Sequence, residues 1–338
     1  MAVLVTGGAG YIGSHMCLAL VEAGETVVAL DNLSTGMWWA VPPQAELVEG
    51  DVGDDALLDR VLKDGGVDAI LHFAGSIVVP DSVSDPLGYY LNNTVKSRAL
   101  IAAAVRHRVP HFIFSSTAAV YGMPETIPVS EAAGLTPISP YGTSKLMTEW
   151  MLRDAAAAHG LGYAILRYFN VAGADPKGRA GQSTPFATHL IKVACQTLLG
   201  QRPHLEVFGR DYDTPDGTCI RDYIHVSDLV QAHLDALRHL RHGGESGAFN
   251  CGYGRGYSVL EVVRAVERAG GRKLAVKDGP RRPGDPAVIV AEAQRARAVL
   301  GWRPQLDDLD QIVASAIAWE EKLARHNERP IARPAPKS

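Results

Sequence analysis

The segment that most restricts the fold of this chain is TGGAGYIG, residues 6–13, which joins an apolar, β-branched run to a helix-like one. It places Gly7, Gly10 and Gly13 in a G-x-x-G-x-x-G spacing. Glycines at such a turn let the backbone bend sharply and approach a pyrophosphate. The helix that follows directs free N–H groups and its positive dipole end at the phosphates. Because the triplet lies between a strand and a helix, it predicts a dinucleotide site.

Short apolar runs alternate with helical patterns through the first half of the chain. Strands are predicted at AVLVTG (2–7), TVVALD (26–31), AELVEGD (45–51), DAILHFAG (68–75), HFIFSST (111–117) and YAILRYFN (163–170). Helices are predicted near 12–23, 54–64, 90–108 and 141–159. Strands separated by helix-length crossovers pair in parallel, and near-continuous apolar strands suit burial on both sides. We therefore expect an α/β fold with a Rossmann-type doubly wound parallel sheet.

The end of the second predicted strand indicates which dinucleotide is bound. Asp31 and Asn32 stand about 20 residues beyond the glycines, where a carboxylate takes the adenosine ribose hydroxyls. An acid there repels a 2′-phosphate, and no arginine adjoins it. The pattern favours NAD over NADP.

Two further strand ends are candidates for cofactor contact. Asp51 and Val52 follow the third strand, but Asp51 also lies in DVGDD, a good helix cap, and the sequence leaves both roles open. Phe73, Ala74 and Gly75 end the fourth strand and offer small residues where a dinucleotide would cross the sheet.

Beyond residue 172 the composition changes. Two segments are rich in glycine, proline and polar residues, as loops over a cleft are: 173–185 and 209–218. A strand at 273–279 and helices near 292–300 and 308–325 predict a smaller second lobe. We expect a Rossmann domain for NAD at 1–172, rejoined by about 222–252, where a strand–helix–strand pattern resumes. A smaller α/β substrate-binding lobe is expected from 173–221 and 253–325, and a disordered tail from 326–338.

Composition narrows the function class. The chain has 338 residues, is 46% hydrophobic and 21% charged, and has a net charge of −4, so it presents no basic face for nucleic acid. Its apolar runs are far shorter than the ~20 residues of a membrane span. Met1 leads directly into a strand, without the pattern of a signal peptide. The four cysteines are scattered without metal-ligand spacing, which indicates reduced thiols. We expect a cytoplasmic enzyme or small-molecule-binding protein without a metal site.

The chemistry is predicted at the fifth strand and the helix after it. SSTAAVYG places Ser115 and Thr117 at the carboxyl edge of the sheet, where open α/β folds bind ligands. SPYGTSK then puts Tyr141 and Lys145 four residues apart, on one face of a helix that Ser-Pro suits as a start. The reference pKa of tyrosine, about 10, is too high for a base at neutral pH. A lysine ammonium and a positive nicotinamide ring would lower the pKa of Tyr141, and Thr117 would hydrogen-bond the substrate oxygen.

Eight segments together carry a resemblance to a known family: TGGAGYIGSH, DNLSTG, HFAG, SSTAAVYG, SPYGTSK, LRYFNVAGA, DGTCIRDYIHV and RRPGD. Over nearly all of residues 1–325 the chain resembles the extended short-chain dehydrogenase/reductase family, and within it the UDP-sugar 4-epimerases. The resemblance implies a triad of Thr117, Tyr141 and Lys145, tightly held NAD, and reversible interconversion of UDP-glucose and UDP-galactose. The steps it implies are oxidation at C4, rotation of the 4-keto sugar and hydride return to the other face. It also implies a homodimer through the helices near 90–108 and 141–159.

The resemblance also implies ligand contacts. For NAD these come from the glycine loop, the strand ends and the helices beside them: Gly7, Gly10, Tyr11, Ile12, Gly13, Asp31, Asn32, Asp51, Val52, Phe73, Ala74, Gly75, Asn92, Ser115, Tyr141, Lys145 and Tyr168. For the UDP-sugar they are Thr117, Tyr141, Asn170, His189, Leu190, Glu206, Val207, Phe208, Arg221, Arg282, Asp285 and Ile289. Arginines suit the diphosphate through bidentate bonds, and Asp285 suits a ribose hydroxyl.

Three positions depart from the family pattern. Many relatives carry a lysine shortly after HFAG that contacts the nicotinamide-side ribose, and Ile77 stands there in this chain. Lys145 is then expected to supply the positive charge more nearly alone. His189 replaces an asparagine of some relatives. Ile289 holds a position that helps to decide whether an N-acetyl group at C2 fits, and its intermediate size leaves conversion of UDP-GlcNAc open.

Other readings compete with this one. Sugar-nucleotide 4,6-dehydratases place acidic residues after the strand-five threonine to expel water, and this chain has Ala118 and Ala119. A 4-epimerase of UDP-GlcNAc, UDP-glucuronate or a UDP-pentose needs only a changed pocket around the sugar. A non-catalytic NAD-sensing regulator would not need the pair of Tyr141 and Lys145, which this chain keeps.

Overall fold

The computed structural model describes residues 2–64, 66–185, 187–282 and 284–328. The strands are β1 (Ala2–Thr6), β2 (Thr26–Asp31), β3 (Glu46–Glu49), β4 (Val67–His72), β5 (His111–Thr117), β6 (Gly162–Tyr168), β7 (Asn170–Ala172), β8 (Leu205–Phe208), β9 (Ile220–His225), β10 (Gly247–Cys251), β11 (Gly256–Ser258), β12 (Val276–Gly279) and β13 (Val288–Ile289). The α-helices are α1 (Tyr11–Glu22), α2 (Asp55–Asp64), α3 (Val79–Ser84), α4 (Pro86–Tyr89), α5 (Lys96–Arg106), α6 (Pro140–His159), α7 (Leu190–Leu198), α8 (Val226–Arg241), α9 (Val259–Gly270), α10 (Gln294–Val299) and α11 (Leu309–Glu328). Short 3₁₀ turns occupy Trp38–Ala40 and Ala118–Tyr121, and a π-helical turn occupies Tyr90–Val95.

The main sheet confirms the predicted fold class. Its seven strands run in the order β10-β6-β5-β4-β1-β2-β3, and every neighbouring pair is parallel. The chain builds outward from β1 to β3, then returns to the other side of β1 and builds outward from β4. The carboxyl ends of β1 and β4 therefore flank the point where the strand order reverses, which is where open α/β sheets bind ligands.

Alternate residues of the strands feed two separate cores, one on each face of this sheet. Val3 and Val5 of β1 belong to the core that includes Leu20 of α1, whereas Leu4 belongs to the core that includes Leu58 of α2. All five residues of β1 and all six of β4 are buried. Burial on both faces explains why these strands are apolar without alternation.

The second half of the chain adds two small sheets beside the carboxyl edge of the main one. In one of them β9 lies between β11 and β13 and also pairs with β7, and in the other β8 pairs in parallel with β12. Ile191 of α7, Val262 of α9 and Ile312 of α11 share one apolar core with Val3. The packing beneath the smaller lobe is thus continuous with one face of the main sheet.

Several sequence-based boundaries differ from the structure. The strand predicted at 163–170 is two strands, because β6 ends at Tyr168 and β7, from Asn170, pairs with β9 instead of continuing along β5. Of the segment 222–252, β10 rejoins the main sheet beside β6, whereas β9 belongs to the small sheet. An apolar run cannot tell these two sheets apart, because both bury their strands.

Helix predictions needed three corrections. The helix predicted at 90–108 consists of the π-helical turn followed by α5, and α4 comes before it. The apolar helices α7 and α9 lie inside the predicted substrate lobe and were not predicted; the capping box of α9, Ser258 with Glu261, is the signal that would have found it. Residues 326–328, predicted as the start of a disordered tail, continue α11, and 329–338 lie outside the described residues. Within the described ranges, no helix is long and apolar enough to cross a membrane.

Candidate active site

The glycine loop between β1 and α1 is a cradle that side chains would fill. Gly7 has φ of +71°, and a Cβ there would lie 2.7 Å from the Ala74 nitrogen at the end of β4. A Cβ on Gly13 would lie 2.0 Å from the Gly7 carbonyl oxygen. The first-turn N–H groups of Tyr11, Ile12 and Gly13 have no acceptor one turn earlier in the helix. This surface of bare backbone and free N–H groups fits a pyrophosphate.

Asp31 closes the cradle on the side of β2. Its Oδ2 accepts a 2.9 Å bond from the Ala9 N–H, and its Oδ1 accepts a 2.8 Å bond from the Leu33 N–H. Burial raises the pKa of Asp31, and these two backbone bonds oppose the shift. The carboxylate is therefore held in one orientation, with its remaining lone pairs available to ribose hydroxyls. Asn32 beside it is exposed and donates to Asp51 over 3.4 Å.

The structure separates the two roles that the sequence left open for Asp51. Its carboxylate accepts bonds from the Lys96 ammonium at 2.5 Å and from the Gly53 N–H at 2.8 Å, while Asp54 caps α2 through the Leu57 N–H. Burial works to raise the pKa of Asp51, but the bonds from Lys96 and Gly53 outweigh it and hold that pKa below its usual value. Asp51 is thus not the helix cap. Val52 beside it is buried.

The end of β4 is tied to α6 through an asparagine that the sequence reading missed. Asn93 accepts a 2.7 Å bond from the Ser76 N–H and donates a 3.0 Å bond to the Ser144 hydroxyl. Asn92, which was predicted, donates to the Ser76 hydroxyl at 2.9 Å. Both asparagines lie in the π-helical turn, and such turns are frequent at functional sites. The adjacent pair NN after a predicted helix start is the signal that sequence reasoning passed over.

Thr117, Tyr141 and Lys145 come together at the carboxyl ends of β4 and β5. The Thr117 hydroxyl hydrogen-bonds the Tyr141 phenol. Lys145 is buried, donates a 3.1 Å bond to the Ser115 carbonyl and lies 5.0 Å from the centre of the Phe114 ring. All three side chains therefore belong to one cluster.

The sequence explains how α6 presents this cluster. Ser139 caps the helix through the Gly142 N–H at 3.2 Å, with Pro140 in the first turn, as the Ser-Pro pattern predicts. A Cβ on Gly142 would lie 2.6 Å from the Ala119 carbonyl oxygen. Because only glycine permits this approach, the first turn of α6 lies directly against the 3₁₀ turn that follows Thr117.

In the protein by itself, the pKa of Tyr141 lies above the usual value of a tyrosine. Burial raises it, and the hydrogen bond from Thr117 opposes the rise only in part. Burial also lowers the pKa of Lys145 to about 8, against the opposing charge of Glu149. The prediction that Lys145 and the positive nicotinamide ring together lower the pKa of Tyr141 concerns the site with NAD bound, and it stays a prediction. Burial disfavours the charged phenolate more strongly than the surrounding side chains stabilise it.

Ser115 on β5 and Tyr168 on β6 lie beside this cluster, and Tyr168 is in register with Thr117. The hydroxyl groups of Ser115 and Tyr168 are hydrogen-bonded to each other, and burial raises the pKa of Tyr168. Phe73, at the end of β4, packs with its ring centre 4.8 Å from that of His233 on α8. Ile77, at the position where relatives carry lysine, is 47% exposed, so no cation from that position enters the cluster.

The residues predicted to bind the nucleotide fall into two groups. Arg221 on β9 pairs with Asp285 and donates a 2.7 Å bond to the Pro286 carbonyl. The Arg282 guanidinium lies 4.0 Å from the centre of the Phe208 ring on β8, the strand that also carries Glu206 and Val207. Each group combines a cation with a second feature that suits a nucleotide, a carboxylate in the first and an aromatic face in the second.

The other predicted substrate residues lie on β7, on β13 and at the start of α7. Ile289 on β13 is in register with Arg221 and packs in a cluster with Ala118 and Tyr121. Asn170 on β7 hydrogen-bonds the Tyr223 phenol. His189, whose pKa burial lowers, lies 3.4 Å from the Gln182 amide, and Leu190 begins α7.

A buried network behind the cluster escaped the sequence reading. Glu149 accepts from the Ser116 hydroxyl at 2.5 Å and from two nitrogens of Arg167 at 3.0 and 2.6 Å. Arg167 also donates to the Tyr121 hydroxyl at 3.1 Å, and Tyr121 donates to Asn250 at 2.7 Å. Three of its members lie close in sequence to residues of the site: Ser116 beside Thr117, Glu149 four residues after Lys145, and Arg167 beside Tyr168.

Comparisons with known proteins agree with this geometry. The model of the NAD dependent epimerase/dehydratase family matches residues 3–252. The chain is 63% identical over 321 residues to the UDP-glucose 4-epimerase of Azospirillum brasilense, which covers 95% of this chain and 92% of the relative. The structure of UDP-glucose 4-epimerase from Brucella ovis in complex with NAD superposes with a TM-score of 0.91 at 45% identity, covering 94% of this chain and 97% of that one. The UDP-Glc/GlcNAc 4-epimerase of Campylobacter jejuni gives a TM-score of 0.83 at 46% identity, covering 95% and 99%.

Proposed function

Since this chain belongs to the NAD dependent epimerase/dehydratase family, we propose that it interconverts UDP-glucose and UDP-galactose by reversible epimerisation at C4 of the sugar. The observation that carries the proposal is the cluster of Thr117, Tyr141 and Lys145 beside the glycine cradle. A hydroxyl, a phenol and an ammonium at this place are the groups needed to remove and return the proton of a sugar hydroxyl.

NAD is the cofactor of this family, and the chain's own residues fit it. The cradle around Gly7 and Gly13 would hold the pyrophosphate, and Asp31 would hold the adenosine ribose. Bound NAD supplies the hydride acceptor for C4 and a positive ring that favours the Tyr141 phenolate. Asp31 selects against a 2′-phosphate because two carboxylate oxygens already fixed by backbone bonds cannot turn away from it.

Tyr141 is the group that we assign to the C4 hydroxyl. As the phenolate, its buried side chain accepts the hydroxyl proton as C4 is oxidised, and the resulting phenol returns that proton when C4 is reduced again. Lys145 lies on the same face of α6 and, with a pKa of about 8, is mainly an ammonium at pH 7. Thr117 holds the phenol in place and offers its hydroxyl to the substrate oxygen.

Epimerisation also requires that the 4-keto sugar turns over while it stays bound. We assign most of the affinity to the UDP part, through Arg221 with Asp285 and Arg282 with Phe208. Ile289, next to the cluster, presents an apolar surface that forms no directed bond to the sugar. A sugar held mainly by its nucleotide is free to rotate.

Of two related activities, dehydration of the sugar nucleotide is favoured less, and epimerisation of UDP-GlcNAc keeps support. A dehydratase would need an acid after Thr117, and Ala118 and Ala119 form the 3₁₀ turn at that place. Conversion of UDP-GlcNAc has a specific observation behind it, because the Campylobacter jejuni relative, which is 46% identical, is named for both sugars. UDP-glucuronate and UDP-pentoses differ only around C6.

The test is a panel of four substrates with purified protein and no added hydride donor. We expect UDP-galactose to be converted to UDP-glucose faster than UDP-GlcNAc, UDP-glucuronate or UDP-arabinose is converted to its C4 epimer. Products are separated by chromatography, so that each epimer is measured directly. Conversion of UDP-glucuronate or UDP-arabinose alone would reject the proposed substrate, and no conversion of any sugar would reject the proposed reaction.

We further propose that the protein is a homodimer through α4, the π-helical turn, α5 and α6. Leu87, Leu91, Val95 and Trp150 expose 77%, 56%, 53% and 45% of their surfaces on these helices. Apolar side chains spaced four residues apart make one stripe along a helix, and such patches mark protein interfaces. The chemistry of this surface suits a second copy of itself.

Leu91→Glu is expected to convert the dimer to a monomer, because two carboxylates would face each other across a two-fold interface. Light scattering coupled to size exclusion measures the mass. Val299→Glu is the matched control, since Val299 is 44% exposed on α10, outside this stripe. A wild-type monomer, or a dimer that survives Leu91→Glu, would contradict the proposed interface.

We also infer a cytoplasmic location. The four cysteines are free and buried, as expected of thiols kept reduced in that compartment.

A further inference from the structure

The loop that follows Asp31 folds back over the glycine cradle. The Met37 N–H donates a 2.9 Å bond to the Ala9 carbonyl, and a Cβ on Gly36 would lie 2.9 Å from both the Ala9 side chain and Asp31 Oδ1. Leu33, at the beginning of this loop, has a φ of +57°, a conformation that leucine rarely adopts. The loop therefore lies directly against the two groups assigned to the cofactor, the cradle and Asp31.

Trp39 fixes the far end of this loop to the last helix of the chain. Its ring centre lies 4.4 Å from that of His326 and 6.4 Å from that of Trp319, both on α11. Aromatic pairs at these separations attract each other beyond the area that they bury. Trp38, the residue before it, makes no ring contact with another described aromatic residue and is also half-buried.

Trp319 also contacts residues of the predicted substrate lobe. Its ring lies flat on Gly181, where a Cβ would come within 2.2 Å, and its Nε1–H donates to Ser183 at 3.2 Å. The next residue, Glu320, forms a buried ion pair with Lys192 of α7. Helix α11 is thus held rigidly to the segment that carries His189, and Trp39 connects the cofactor loop to that rigid body.

We propose that Trp39 is a positioning residue for the cofactor, which holds the loop at 32–41 closed over the adenosine side of NAD by packing on Trp319 and His326. The inference rests on the cofactor half of the proposed function and not on which sugar is converted. An enzyme that uses the same NAD as oxidant and then as reductant gains nothing from releasing it. A contact that holds this loop closed far from the nicotinamide ring slows the loss of NAD without changing the reaction at C4.

The experiment measures NAD retained by the purified holoenzyme. Wild type, Trp39→Ala, Trp39→Phe and Trp38→Ala are passed over a desalting column at intervals, and the NAD released on denaturation is quantified per protein chain. Trp39→Ala is expected to lose NAD about tenfold faster, since two aromatic contacts are removed. Trp39→Phe keeps a ring and should retain NAD better than Trp39→Ala, whereas Trp38→Ala should match wild type.

A merely structural role would give a different pattern. With saturating NAD added, Trp39→Ala is expected to keep the KM for UDP-galactose and the turnover of wild type, while the NAD concentration needed rises. If Trp39→Ala does not fold, His326→Ala, which removes the nearer of the two rings, is expected to speed NAD loss by itself. Equal NAD loss from Trp38→Ala and the Trp39 variants, or wild-type retention in Trp39→Ala, would overturn the proposal. NAD content is measured without any sugar, so this outcome is independent of the proposed epimerase activity.

Discussion

Tyr141→Phe is expected to slow the conversion of UDP-galactose by about a thousandfold, within the range that positioned general acid–base groups contribute. The substitution removes only the hydroxyl that is hydrogen-bonded to Thr117, and the ring stays to fill its buried place. Without that oxygen, no group in the cluster is placed to take the C4 proton, because Lys145 is bonded to the Ser115 carbonyl. Initial rates at saturating UDP-galactose measure the effect.

Two controls make this result specific. The variant should retain NAD, which shows that the cradle is intact. Tyr163→Phe is the matched control, because Tyr163 lies near the amino end of β6, whereas Thr117 and Tyr168 lie at the carboxyl ends of β5 and β6. Unchanged turnover in Tyr141→Phe would remove Tyr141 from the mechanism.

The second large effect is expected from the buried pair behind the cluster. Glu149 and Arg167 are 1% and 4% exposed, and removing one charge leaves the other buried without a partner. Glu149→Met or Arg167→Met alone is therefore expected to lower the free energy of unfolding by about 3–5 kcal/mol. The double variant Glu149→Met/Arg167→Met leaves no unpaired charge and should recover most of this loss, apart from about 1–3 kcal/mol for the Ser116 hydroxyl that loses its acceptor.

Urea unfolding at one protein concentration and with saturating NAD measures all four proteins. The singles and the double form a cycle, and the expected result is a strong departure from additivity. Additive losses would show that the pair is not a unit. The cycle also reports on the site, because Ser116 and Arg167 adjoin Thr117 and Tyr168 in the sequence.

The main sheet could be predicted because the features that specify it depend on residues that are close together in the sequence. Runs such as 2–5 and 69–71 are apolar throughout because both faces of β1 and β4 are buried, and the glycine loop must follow β1 for its N–H groups to reach a phosphate. The start of α6 was equally readable, since Ser139 and Pro140 act within one helical turn. These features depend on neighbours in sequence.

Features that depend on distant partners were not predictable. β9 reads like a strand of the main sheet, and only its pairing with β7 and β13 places it elsewhere. The role of Asp51 depends on Lys96, 45 residues away. The pKa of Tyr141 depends on how deeply the phenol is buried, which no spacing between residues reveals.

The buried network could not be predicted from the sequence for the same reason. Glu149 and Arg167 read as surface charges in the sequence, because charged residues are almost never fully buried unless they are paired. Their pairing requires that α6 and β6 pack against each other, which brings residues 18 apart in sequence within hydrogen-bonding distance. The spacing of Glu149 after Lys145 was visible, but its partner was not.

In the proposed reaction, the hydride leaves C4 for the cofactor and returns to C4 without exchanging with solvent. UDP-galactose labelled with deuterium at C4 tests this most directly, with purified protein in ordinary water and no added cofactor. The UDP-glucose formed should keep the deuterium at C4, and the unlabelled reaction run in D₂O should place none there. Loss of the label to water, or uptake of deuterium from solvent at C4, would contradict a hydride held on the cofactor between the two half-reactions.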